Sequence, residues 1–99
     1  MKRARFLAPA RLEYFDEIKY YSRIRDELGL RFIEAVEEAS ERALAFPLAG
    51  SPCESGTRRF LLKKFPFSMV YRVEDDGILI VAIAAHSKKP GYWISRVEP

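Results

Sequence analysis

Among its 99 residues the chain has one cysteine, one histidine and five glycines, and no apolar run longer than Ile78 to Ala85. A single thiol, Cys53, cannot close an internal disulfide, so the expected compartment is a reducing cytoplasm. It lies in the turn-rich Ala49-Gly-Ser-Pro-Cys-Glu-Ser-Gly56, where it reads as an incidental loop residue. A lone His86 argues against zinc, which takes several His or Cys ligands, and no other cofactor is implied. Ile78 to Ala85 falls far short of the roughly 20 apolar residues needed to span a bilayer. The opening Met1-Lys-Arg-Ala-Arg-Phe-Leu reaches Pro9 before any apolar region long enough for a signal peptide. There is no Gly-rich phosphate loop, no HExxH and no Ser-His-Asp order. Asp75 and Asp76 belong to a turn and Glu37 and Glu38 to a helix face, so neither pair forms a general acid/base couple.

At 48% apolar and 31% charged, the chain reads as one globular domain, residues 1–99, with no bias to disorder. A net charge of +3 is modest, but its distribution is uneven. Residues 57–93 hold seven Lys/Arg against three acids, whereas residues 1–56 hold nine against ten. Positive charge gathered on one half suits an anionic polymer or an acidic protein partner.

A short strand is expected over Arg3–Leu7, ended by Pro9, which suits the first turn of a helix. Leu12, Phe15, Ile18 and Tyr21 then recur at helical spacing, and Tyr14 widens the stripe. Gly29 punctuates the run and reads as the link of a helical hairpin. The second helix places Phe32, Val36, Ala39 and Ala43 on one face, carries Glu34, Glu37, Glu38 and Glu41 outside, and stops at Pro47. Residues 48–56 read as a loop. Thr57–Lys64, Phe67–Glu74 and Ile78–His86 read as three strands, and Asp75-Asp76-Gly77 is a strong hairpin signal. Short connections enforce an antiparallel meander. The class is therefore α+β: an N-terminal strand and a helical hairpin packed on an antiparallel β-meander.

Alternation puts Met69, Tyr71 and Val73 under the helices and Ser68 and Arg72 on the open face. In the last strand it places Ala82, Ala84 and His86 on one side and Leu79, Val81, Ile83 and Ala85 on the other; a one-residue bulge would invert this. The strand ends at His86, Lys88, Lys89, Tyr92 and Trp93. The two lysines can hold a phosphate beside a ring able to exchange a proton. Tyr92 is a candidate stacking residue, and Trp93 reads as an anchor for the tail.

Several motifs carry a resemblance along essentially the whole chain: Tyr20-Tyr21, Leu28-Gly29 before Phe32, Phe46-Pro47 before Gly50, Arg58-Arg59-Phe60-Leu61-Leu62, Phe65-Pro-Phe-Ser-Met-Val-Tyr-Arg-Val73, and His86 through Pro90-Gly91-Tyr92-Trp93. In order and spacing they resemble the RelE/ParE superfamily of bacterial type II toxins, also called plasmid-stabilisation toxins. The resemblance implies a growth-inhibiting protein neutralised by a cognate antitoxin. RelE-type members cut messenger RNA on the ribosome with basic side chains on the sheet and a C-terminal aromatic; ParE-type members poison DNA gyrase. Carried over residue by residue, Arg59 fits one basic position, Leu61 occupies a second, and Ser68 stands where an arginine belongs. His86 replaces a basic residue, and Tyr92 fits the terminal aromatic. The catalytic candidates are thus His86 and Tyr92, and the target-binding candidates are Arg59, Lys63, Lys64, Arg72, Lys88 and Lys89. Two missing cations favour a ParE-like, gyrase-binding toxin. The alternatives are a ribosome-dependent mRNA endoribonuclease and an inactive binding module of the same fold.

Overall fold

The computed structural model describes residues 2–98. In chain order the elements are β1 (Arg3–Phe6), α1 (Ala8–Ile24), α2 (Asp26–Ala45), β2 (Ser51–Cys53), β3 (Thr57–Leu61), β4 (Phe67–Glu74) and β5 (Gly77–Ala85). One mixed sheet has the order β1-β5-β4-β3-β2. The expected meander is its antiparallel centre, and β1 adds parallel to β5. β2 was not expected: Ser51–Cys53 lies inside the segment read as a loop, and it pairs antiparallel with Arg59–Thr57. Its attachment comes from contacts that no local pattern marks. The Tyr71 hydroxyl donates to the Pro47 carbonyl at 2.7 Å, and Arg58 donates to the Leu48 and Gly50 carbonyls at 2.9 Å each.

Both helices cover one face of the sheet. Phe32, Val36, Ala39 and Ala43 are buried, as the spacing predicts. Phe32 sits among the rings of Tyr14, Tyr21, Phe65 and Phe67 at centroid distances of 5.2–6.3 Å. On α1 the inward residues are Ala10, Tyr14, Ile18 and Tyr21. Leu12 and Phe15, expected in that stripe, are 65% and 48% exposed. Successive helical residues rotate by about 100°, so a stripe running from Ala10 through Tyr14 to Ile18 turns Leu12 and Phe15 outward. The hairpin link is Arg25, in extended conformation (φ −160°, ψ 142°), and not Gly29, which is buried within α2. A Cβ on Gly29 would stand 2.0 Å from Ser22 Oγ, so glycine there lets the helices approach.

β5 meets the helices on one side and the C-terminal segment on the other, as its nearly continuous apolar sequence requires. A bulge lies where Val70 pairs with Ala82 but Tyr71 pairs with Ile80. Beyond it Ala82 and Ala84 take the open face as alternation predicts, but before it the pattern inverts. Ile78 and Ile80 join the helix-side core, and Val81 packs with Val70, Ala82 and Trp93 on the opposite side. Val73, expected under the helices, stays 41% exposed, beside a small cleft it shares with Leu44 and Pro47.

Candidate functional site

The open face of the sheet ends in a cavity of about 270 Å³. β3 supplies Arg59, β4 supplies Ser68 and Val70, and β5 supplies Ala84 and Ala85. The segment after β5 closes the cavity with His86, Lys88, Lys89, Tyr92 and Trp93. This segment leaves the sheet in tight turns: Lys88 N–H donates to the Ala85 carbonyl at 3.1 Å, and Tyr92 N–H to the Lys89 carbonyl at 3.2 Å. Trp93 is 5% exposed and packs on Val70, Val81 and Ala82, which makes it the anchor of the tail.

Of the eight candidate residues the fold brings five together: Arg59, His86, Lys88, Lys89 and Tyr92. The other three lie elsewhere. Lys63 pairs with Glu38 of α2 at 3.1 Å. Lys64 holds a left-handed conformation (φ 68°) in the turn between β3 and β4. Arg72 shares the open face of β4 with Ser68, but four residues along a strand separate them by about 13 Å. Its guanidinium pairs with Glu74 at 3.1 Å, and Arg5 of β1 binds the other oxygen of that carboxylate.

The His86 Nε2 lies 3.0 Å from the hydroxyl of Ser68, which is buried, so the ring is held against the sheet. Cys53 borders the same cavity, but burial pushes its thiol up and nearby Arg59 only partly offsets this, so the sulfur is not an activated nucleophile.

Tyr92 is held most firmly. Its hydroxyl donates to Glu13 Oε2 at 2.5 Å. The same carboxylate accepts two bonds from Arg96, at 3.0 and 2.9 Å, and one from the Ile83 backbone N–H at 3.1 Å. Arg96 also donates to the Val81 carbonyl at 3.0 Å. The reason for this knot is topological. β1 covers only Gly77–Ile80 of β5, and where β1 turns away into α1 the edge groups of Val81 and Ile83 need partners. Glu13 and Arg96 provide them. Burial raises the Glu13 carboxyl, but the hydrogen bonds from Arg96, Tyr92 and Ile83 outweigh it and hold its pKa below the usual value. Burial and the Glu13 bond push the Tyr92 phenol far above its ordinary range. Cations also flank the ring, with Lys88 Nζ 5.0 Å and the Arg96 guanidinium 5.2 Å from its centroid. Sequence reasoning missed Glu13 and Arg96. They stand 83 residues apart, and a glutamate on a helix carries no local mark of a buried partner.

A family model described as the ParE toxin of type II toxin-antitoxin system, parDE, matches residues 5–90. A solved chain of the chromosomal ParDE TA system from P. aeruginosa superposes with a TM-score of 0.71 at 25% identity, covering 86% of this chain and 96% of that one. No curated protein sequence matches significantly. With 86 consecutive residues under the family model and the same two helices on a mixed sheet, the chain belongs to the ParE toxin family of type II toxin–antitoxin systems.

Proposed function

We propose that this toxin acts by binding DNA gyrase and not by cutting RNA. Family membership makes the chain the toxin component of a type II toxin–antitoxin module, with an antitoxin as its partner. The observation that carries the choice of target is the engagement of Tyr92. A nuclease of this fold would need that side chain to stack on a base or to move a proton. Here the hydroxyl is given to Glu13, the ring is flanked by two cations, and the phenol is held protonated. Leu61 and Ser68 leave two positions without the positive charge that a phosphoryl transition state requires. The remaining cations, Arg59, Lys63, Lys64, Arg72, Lys88 and Lys89, are spread along the face and rim of the sheet. That distribution suits recognition of a large acidic surface. On the opposite side of the molecule Leu12, Phe15, Ile24 and Leu30 are 48–65% exposed on the hairpin, which offers the apolar surface an antitoxin tail would cover.

Regulated expression in bacteria tests this reading. The wild-type chain is expected to arrest growth and co-expressed antitoxin to restore it. Tyr92→Phe keeps the ring and loses one hydrogen bond, at a stability cost of about 1–2 kcal/mol, and is expected to remain toxic. The double variant Arg59→Ala, Arg72→Ala is expected to lose toxicity with its fold intact, since Arg59 is exposed and meets no carboxylate among the described residues, and a partly exposed pair such as Arg72–Glu74 contributes about 0–1 kcal/mol. A folded Tyr92→Phe chain that no longer arrests growth would favour the RNA-cleaving alternative.

A further inference from the structure

What sets the cavity apart is that three cations without a carboxylate partner among the described residues gather in it. Arg3, Arg5, Arg25, Arg42, Lys63, Arg72 and Arg96 each meet a carboxylate. Arg59, Lys88 and Lys89 do not, among the described residues, yet all three line one cavity. Glu54 is the only carboxylate among the lining residues, so three positive charges against one negative leave a surplus of two. Glu17 of α1 lies within the field of Lys88, outside the lining. Like charges held around a concavity repel one another and create a strong local potential for a counter-ion.

The uncharged groups fit the same ligand. Ser68 holds His86 through Nε2, so Nδ1 is left for a second partner. Nδ1 carries a proton when Ser68 donates to the ring, and also when the ring is charged. Val70, Ala84, Ala85 and Pro90 give the cavity an apolar wall beside its cationic rim. Its volume of about 270 Å³ exceeds the needs of a bare phosphate ion; it lies near the lower end of the roughly 300–1,000 Å³ typical of small-molecule sites. A phosphomonoester carries a charge of about −1.5 to −2 at neutral pH, which matches the surplus, whereas a phosphodiester carries one charge.

We propose that this cavity is a binding site for a phosphomonoester of nucleoside-monophosphate size, gripped by Arg59, Lys88 and Lys89. The assignment rests on the cavity alone. Ligand binding by the purified chain is a separate readout from gyrase inhibition, so either can fail without the other.

The test is a titration of the isotope-labelled full chain, followed by amide shifts in two-dimensional NMR. The probes are AMP, inorganic phosphate, adenosine and a dinucleoside joined by a 3′,5′-phosphodiester. AMP is expected to give saturable shifts at Arg59, Ser68 and residues 86–92, and inorganic phosphate a weaker effect at the same amides. Adenosine is expected to leave them unmoved, and the dinucleoside to bind at least roughly tenfold more weakly than AMP. Arg59→Ala and Lys89→Ala should each weaken AMP binding by roughly tenfold or more. Both side chains are exposed, so dispersed spectra should confirm that the variants fold. Lys19→Ala, on the outer surface of α1, should bind like the wild type. Absence of saturable shifts up to ~10 mM AMP would overturn the proposal, and so would affinity that survives both substitutions. Adenosine or the dinucleoside binding as well as AMP would also overturn it, because the terminal dianion would then not be what is recognised.

Discussion

Glu13→Ala is expected to destabilise the chain by about 3 kcal/mol, the lower end of the range for breaking a buried ion pair. For a domain of this size that lowers Tm by roughly 12–24 °C. The loss is large because one carboxylate serves four donors. Its removal strands the Arg96 guanidinium, the Tyr92 hydroxyl and the Ile83 N–H in a site where both side chains of the ion pair are under 20% exposed. Trp93 is the only tryptophan and is anchored next to this knot, so its emission should shift to the red as the tail loosens. The pH dependence should change as well. The pKa of Glu13 is depressed in the folded chain, so its contribution is fully present above the ordinary carboxylate value near pH 4.3. The contribution is lost as pH falls from there through the folded value. The wild-type chain should therefore show a steeper loss of stability on the acid side than Glu13→Ala. Urea unfolding at several pH values reads both effects. As a reference, Glu27→Ala, which breaks an exposed pair with Arg25, should change stability by about 0.5 kcal/mol or less.

Phe32→Ala should cost about 3–5 kcal/mol through lost burial and the cavity left behind. Phe32 is fully buried and has four aromatic neighbours, Tyr14, Tyr21, Phe65 and Phe67, which come from α1, β4 and the β3–β4 turn. No single neighbour can shift to fill the space without disturbing another. Against a total stability of about 5–15 kcal/mol, the variant should be partly unfolded at 37 °C and should lose toxicity through lost folded protein. Phe32→Leu keeps more of the volume and should cost well under half as much. Circular dichroism melts of the two variants check the ordering; equal melting temperatures would show that the ring cluster is not the centre of the core.

The parts of the fold visible in the sequence were those set by local pattern. The stripe Phe32, Val36, Ala39 and Ala43 is buried as its spacing requires, and Asp75-Asp76-Gly77 makes the β4–β5 turn. Gly77 has φ +144°, and a Cβ there would stand 1.8 Å from the Arg3 carbonyl oxygen, so only glycine permits β1 to dock. The parts not visible depend on tertiary contacts that leave no mark in local sequence pattern. Nothing in Ser51-Pro52-Cys53 marks a strand; it becomes one because β3 offers an open edge and Arg58 and Tyr71 hold the preceding turn. The bulge near Val81 leaves no local trace in an all-apolar run, so alternation alone puts Leu79 and Val81 on the wrong face. At the candidate site the clustering of His86, Lys88, Lys89 and Tyr92 followed from their closeness in sequence, and Arg59 joined them through strand pairing. Arg72 sits about 13 Å along the strand from Ser68 and pairs with Glu74, and Lys63 pairs with Glu38, arrangements that only the folded chain reveals.

Gyrase as the proposed target is tested most directly by a paired assay on purified chain: gyrase supercoiling of relaxed plasmid beside primer extension on translated message. Inhibited supercoiling is expected, with uncut message, in both the wild type and His86→Gln. Codon-positioned cuts that vanish in His86→Gln, with supercoiling unaffected by the wild-type chain, would contradict it.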